Sequence, residues 1–280
     1  MKRNIHYDII RTFAIICVVI CHCSEAIYQY NMNGFNILSM QSKIVMIAGL
    51  TIGRLGVPLF LFLTGALVLS KHFDNDDNVF SFYKSNLLSL LICYELWVII
   101  YNLYLAVTSQ TAPVLMNVFK EMFFLKQAPF SNMWYFPMIV EVYLCIPFLA
   151  YLVHKFKFST LKICIFVLFI NSIGLPTLNC IFQYLGINLY FESLLQTSFL
   201  GSSYIFMILV GYYSKHLSLS KITSWLCIVF GFLGTFLLQF LLYSKGVVYN
   251  VWYNNLFLIL CSFGIFKIIQ KYEVKWQIFV

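Results

Sequence analysis

Ile9-Ile10-Arg11-Thr12-Phe13-Ala14-Ile15-Ile16-Cys17-Val18-Val19-Ile20-Cys21-His22-Cys23-Ser24-Glu25-Ala26-Ile27 is an apolar run broken by a guanidinium and an imidazole. A helix that crosses a bilayer needs roughly 20 mostly apolar residues, so the stretch reads as one transmembrane span. Arg11 and His22 stand eleven positions apart. At about 100° per residue those steps leave the two side chains roughly 20° apart in azimuth and roughly 16 Å apart in depth. A charge near the bilayer centre costs about 2.5 to 3.5 kcal/mol on the insertion scale, and such groups face a bundle interior or a wet cavity. The pair therefore predicts one wall of a water-accessible passage, with a functional role for both residues.

The rest of the chain agrees with that environment. Of its 280 residues 61% are hydrophobic, 19% aromatic and only 10% charged, against roughly 25% charged in soluble domains. Eight apolar stretches separated by short polar breaks predict an all-α, polytopic transmembrane bundle of about eight spans. They lie near Ile9–Ile27, Ile44–Leu69, Leu87–Val107, Met133–Val153, Leu161–Cys180, Leu194–Tyr213, Ile222–Tyr243 and Val251–Ile269. With the N-terminus inside, thirteen Lys and Arg residues fall on the inner side or at adjoining helix ends and four (Lys43, Lys120, Lys126, Lys245) on the outer, leaving Arg54 within the second span. The positive-inside rule then places both termini in the cytoplasm of a cell membrane protein. The net charge of +8 follows from this topology. No basic segment alternates with exposed aromatics as a nucleic-acid groove requires, so no nucleic-acid partner is expected.

Met1–Arg11 imitates the head of a signal peptide, but a small-residue cleavage site is missing, and the first span is expected to remain uncleaved. Cysteines are mostly mid-span and read as small apolar fillers. Cys21 and Cys23 lack partners at ligand spacing, so neither disulfides nor a metal site is expected. Linkers, repeats and low-complexity tails are missing, and residues 1–280 read as one domain. The segment Val114–Leu125 has helical periodicity and is too short to cross, which predicts an amphipathic or re-entrant piece.

Four pieces of sequence carry a resemblance. Asp8-x-x-Arg11 leads into Arg11-x10-His22. Gly53-Arg54-Leu-Gly-Val-Pro-Leu-Phe-Leu-Phe-Leu-Thr64-Gly65 follows. Phe82-Tyr83-Lys84 precedes the third span, and Met133-Trp134-Tyr135-Phe136 runs on to Tyr143 and Pro147. In this order they resemble the opening half of the membrane acyltransferase family 3, with Thr64 where Ser is common and Gly56 where a second arginine often stands. The resemblance implies transfer of an acyl group, often acetyl, from cytoplasmic acyl-CoA to a hydroxyl of a cell-envelope or exported glycan, that is, polysaccharide modification by O-acetylation. Acyl-CoA is then the donor, the glycan or a lipid-linked sugar the acceptor, and membrane lipids the surroundings. The family also commonly has about ten spans, so one or two helices are expected to follow Lys275–Val280.

The residues supply a physical route beside that resemblance. An alcohol is a poor nucleophile at neutral pH unless a base removes its proton during attack. His22 is the candidate catalytic base, since imidazole exchanges protons near neutral pH. Glu25, three residues on and on nearly the same face, is the candidate catalytic partner that orients the ring. A packed histidine bonded to a carbonyl, and an interfacial carboxylate, are the simpler alternatives. Arg11, near the cytoplasmic end, suits CoA phosphates, or else lipid headgroups. Arg54 lies near the middle of the second span, and buried charges pair. Glu95 and Glu141 are its expected partners, and all three are candidate substrate-binding groups, the alternative being an ion pair that fixes helix packing. Trp134 and Tyr135 suit stacking on a sugar ring, or belong to the interfacial aromatic belt. Gly65, Gly211, Gly231 and Gly234 suit close helix approach. Walker, H-E-x-x-H and G-x-S-x-G motifs are missing. Two other classes remain open: a transporter or flippase for a glycan or lipid-linked sugar, and a non-catalytic membrane subunit.

Overall fold

The computed structural model describes residues 4–28, 30–110, 113–191 and 203–271, and among them every regular element is helical. In chain order these are α1 (Ile5–Ile27), α2 (Met32–Ile37), α3 (Met40–Gly53), α4 (Gly56–Leu67), α5 (Asp76–Phe82), α6 (Leu88–Ser109), α7 (Leu115–Met122), α8 (Tyr135–Lys155), α9 (Phe158–Phe169), α10 (Leu175–Leu185), α11 (Ser203–Tyr213), α12 (Lys221–Ser244) and α13 (Leu256–Lys271). Single π turns at Tyr83–Leu87 and Ile170–Gly174 join α5 to α6 and α9 to α10.

Six of the resulting rods are long and apolar enough to cross a membrane: Ile5–Ile27, Met40–Leu67, Asp76–Ser109, Ser131–Lys155, Phe158–Leu185 and Lys221–Ser244. They correspond to six of the predicted spans. The sixth predicted span is described only from Ser203 onward, as the 11 residues of α11. The eighth begins later than predicted. Its helix, α13, starts at Leu256, because Asn255 Oδ1 accepts hydrogen bonds from the N–H groups of Phe257 (2.9 Å) and Leu258 (3.2 Å) and so caps it. Residues 251–255 are therefore loop. The predicted segment Lys275–Val280, with Lys2, Arg3 and Lys275, lies outside the described residues.

The chain divides into two compact units. The first takes residues from Met1–Ser70 and Phe158–Val280, the second Lys71–Lys157. In the first, α1 packs on α3 and α4, α4 on α11, and α12 on α13. Its α1 buries Ile10, Ala14, Cys17, Cys21 and Ser24, a single stripe at helical spacing. What lets α1 approach so closely is absent side chain on its partner. A Cβ on Gly53 would sit 2.5 Å from Cys21 Cα, and one on Gly56 would sit 2.7 Å from the Ala14 carbonyl oxygen. Gly65 and Gly211 serve the α4–α11 crossing in the same way, since a Cβ on either would overlap the facing carbonyl oxygen, that of Ile208 or of Phe62.

Between α3 and α4 the span breaks at Arg54–Leu55. Pro58 has no N–H to return to the Arg54 carbonyl, and the ring disfavours an unbroken helix there. Arg54 stands at this break, buried.

In the second unit α7 is the short amphipathic helix expected within Val114–Leu125. Its Glu121 is buried, accepting from Asn102 Nδ2 (2.8 Å) and facing Lys126 Nζ (3.4 Å), while its carbonyl accepts from the Tyr94 hydroxyl (2.7 Å). These contacts dock α7 on α6.

Candidate functional site

The first unit gathers an imidazole, a carboxylate and a guanidinium into one chain of contacts. His22 Nδ1 lies 3.0 Å from Glu25 Oε2, one helical turn along α1. The other carboxylate oxygen, Oε1, accepts from Arg54 Nη2 at 2.9 Å. It also accepts a weak bond from the Cys21 thiol at 3.7 Å, so Cys21 is more than an apolar filler. Each oxygen of Glu25 thus has its own cationic or imidazole partner.

Burial is graded along the chain. The side chains of His22, Glu25 and Arg54 are 44%, 34% and 9% exposed. The guanidinium is held at the buried end, and the imidazole is the most exposed of the three groups. If Nδ1 carries the ring proton and donates it to the carboxylate, Nε2 is left as a lone-pair acceptor.

Arg54 is held from its far side by residues the sequence did not single out. Its Nη1 donates to the Tyr253 hydroxyl at 3.2 Å, and its guanidinium lies 4.9 Å from the ring centre of Trp252 and 5.6 Å from that of Tyr253. Planar guanidinium over aromatic rings is a favourable, partly desolvated cation–π arrangement. The loop that delivers both rings is itself anchored. Val251 N–H donates to Gln239 Oε1 (3.0 Å), and Leu256 N–H donates to Thr177 Oγ1 (2.9 Å). Burial is the main cause that pushes the Tyr253 phenol up to about 12, with the nearby Arg54 opposing it. The phenol therefore stays neutral across physiological pH.

The partner expected for Arg54 from the sequence is corrected by this geometry. Its carboxylate is Glu25, from the first span; Glu95 and Glu141 belong to the second unit, on α6 and α8, half-buried. Arg11 lies three turns before His22 on the same continuous helix, its side chain 50% exposed. Its Nη1 donates to Asp8 Oδ1 at 2.9 Å, which gives the Asp8-x-x-Arg11 spacing a physical meaning as an i, i+3 ion pair. In the second unit, Trp134 closes a 3₁₀ turn and Tyr135 opens α8, their rings edge to face at 6.1 Å.

A family model described as an acyltransferase domain matches residues 4–279. The chain belongs to membrane acyltransferase family 3. No curated protein and no solved structure matches it. Membership makes it an acyltransferase with membrane-spanning helices. Within this family-3 chain, the sequence pieces that carry the resemblance have separate places. Arg11-x10-His22 and the Gly53–Gly65 segment meet in the first unit through Glu25 and Arg54. Phe82 and Tyr143 stack on each other in the second at 5.7 Å, and Tyr83 donates its hydroxyl to Leu144 O at 2.9 Å.

Proposed function

We propose that the protein is an O-acyltransferase that moves an acyl group, acetyl in the simplest case, from cytoplasmic acyl-CoA to a hydroxyl of a cell-envelope or exported glycan. The single observation that supports this reading is the His22–Glu25–Arg54 chain, which is suited to holding an imidazole as a proton acceptor inside a membrane protein.

Each group has a distinct role in the reaction. Glu25 fixes the ring with Nδ1–H toward itself, so Nε2 takes the acceptor hydroxyl's proton as that oxygen attacks the thioester carbonyl carbon. The tetrahedral intermediate collapses with cleavage of the carbon–sulfur bond. The imidazolium returns its proton to the departing thiolate, giving the O-acyl ester and CoA. While His22 is charged, the carboxylate of Glu25 offsets it. Arg54 holds that carboxylate in place through the 2.9 Å contact, and with both terminal nitrogens engaged it acts as a positioning residue. Arg11, roughly 16 Å along the helix from His22, takes the CoA phosphates, and the pantetheine arm spans the interval. In this proposal both termini lie on the cytoplasmic side of the cell membrane, in a bundle of about eight spans, a topology supported by the distribution of Lys and Arg. Trp134, Tyr135, Glu95 and Glu141 lie in the second unit, and the proposed step assigns them no role.

Membranes carrying the protein, supplied with acetyl-labelled acetyl-CoA, provide the test. Label enters envelope glycan with the wild type, and His22→Gln lowers the rate by about 10²- to 10⁴-fold, the usual contribution of a positioned base. Unchanged incorporation by His22→Gln refutes the role of the imidazole. Glycan crossing the membrane without label favours the transporter class.

A further inference from the structure

The loop that clamps Arg54 also borders a cleft that the catalytic chain does not use. Its volume is about 550 Å³, and it is lined by α10, the segment 187–191 and Asn254. Three of its side chains, Asn171, Asn179 and Gln183, repeat on one face of the Phe158–Leu185 span, where lipid-facing positions call for apolar residues. Asn188 and Asn254 add two more carboxamides, and no charged side chain is among the described lining residues.

The walls are built rather than incidental. Asn179 clamps the segment by its backbone, donating from Nδ2 to Phe191 O (2.8 Å) and accepting from Phe191 N–H (3.0 Å). Lys245, at the end of α12, donates to Tyr184 O at 2.5 Å and stands over the Tyr184 ring, fixing the end of α10. With Asn179 spent on the wall, Gln183, Asn188 and Asn254 are the further carboxamides of the lining. Tyr190, 76% exposed, stands at its rim.

We infer that this cleft binds a neutral, polyhydroxylated ligand, the hydroxyl-bearing acceptor. The inference rests on the acyl-transfer reading only for the word acceptor; the recognition chemistry stands by itself. Each carboxamide both donates and accepts, which matches a sugar hydroxyl, and an exposed tyrosine face suits the apolar side of a pyranose. The uncharged lining gives no counter-charge for a sugar acid. Position supports the link to chemistry. Asn254 follows Tyr253 directly, so ligand contact at the cleft and the aromatic clamp on Arg54 share one short loop.

The full chain in lipid nanodiscs, free of glycoside detergent, is the sample, and saturation-transfer difference NMR is the measurement. The probes are glucose, galactose, N-acetylglucosamine and their disaccharides, with glucuronate as the charged comparison. The neutral sugars give transfer signals, strongest for disaccharides, and glucuronate gives at least fivefold less. Asn254→Asp with Gln183→Glu removes the neutral-sugar signal, and the milder Asn188→Ala, at an exposed position, weakens it severalfold with an unchanged melting temperature. No signal from any neutral sugar, equal signal from glucuronate, or variants that bind as the wild type would each overturn the inference. Intact sugar binding together with unaltered transfer in His22→Gln faults the catalytic reading and leaves the cleft standing.

Discussion

Replacing Glu25 with glutamine keeps the shape of the side chain, removes one charge and turns one acceptor into a donor. In the native protein Oε2 faces His22 Nδ1 at 3.0 Å and Oε1 faces Arg54 Nη2 at 2.9 Å. The buried guanidinium has only donors, so the glutamine oxygen must turn to Arg54 and its NH2 to His22. Nδ1 is then forced to accept, the ring proton moves to Nε2, and the nitrogen that should take the hydroxyl proton already carries one. Stability suffers less than activity. Arg54 still donates to an oxygen, while the His22 contact changes from a bond to a charged carboxylate, worth about 1.5–3 kcal/mol, to one between two neutral groups, worth about 0.5–1.5 kcal/mol, so the exchange costs roughly 1–1.5 kcal/mol. Loss of the correct tautomer costs about 10²- to 10⁴-fold in rate. Labelled acetyl transfer by membranes, beside thermal unfolding of the purified protein, separates the two effects. A Glu25→Gln protein that melts within a few degrees of wild type and keeps a third of its activity would refute the reasoning.

Two further outcomes follow from the same geometry. Tyr253→Phe strips Arg54 of its second hydrogen-bond partner and lowers stability by about 1.5–3 kcal/mol with the site otherwise intact. In the wild type the folded phenol, raised to about 12, holds its proton where an unfolded tyrosine near 10 has lost it. This contribution is full below pH 10 and disappears as pH rises toward 12, so ultraviolet difference titration of Tyr253→Phe shows one late-ionising tyrosine fewer than the wild type. Gly53→Ala drives a methyl to within 2.5 Å of Cys21 Cα; overpacking costs about 1–3 kcal/mol and more against backbone, and α1 moves away from Arg54. Folded yield and transfer fall together. The control Gly174→Ala, whose added methyl meets nothing closer than 3.7 Å, leaves both unchanged.

How far the sequence could reach is visible at particular residues. The membrane-spanning helices were legible because apolar runs of the required length leave few alternatives. The His22–Glu25 contact was legible too, since three residues on one helix fix geometry locally. The partner of Arg54 was not. Glu25, Glu95 and Glu141 are chemically equal, and what selects among them is the crossing of α1 over α3, set by Gly53 and Gly56 meeting the backbone of α1. Those glycines are a small-residue stripe, but a stripe does not name the helix that fills it. Trp252 and Tyr253 were absorbed into a span because Val251-Trp252-Tyr253 is apolar. The Asn254-Asn255 pair just before the next apolar run was the available signal that the helix starts later.

Protonation of the His22 ring is the most direct measurement of the proposed chemistry. With ¹⁵N-histidine label in nanodiscs, and the resonances assigned through His22→Gln, the expected spectrum shows a protonated Nδ1 and a bare Nε2 at neutral pH, reversed in Glu25→Gln. A wild-type ring that carries its proton on Nε2 would contradict the assignment, because no lone pair would then face the hydroxyl.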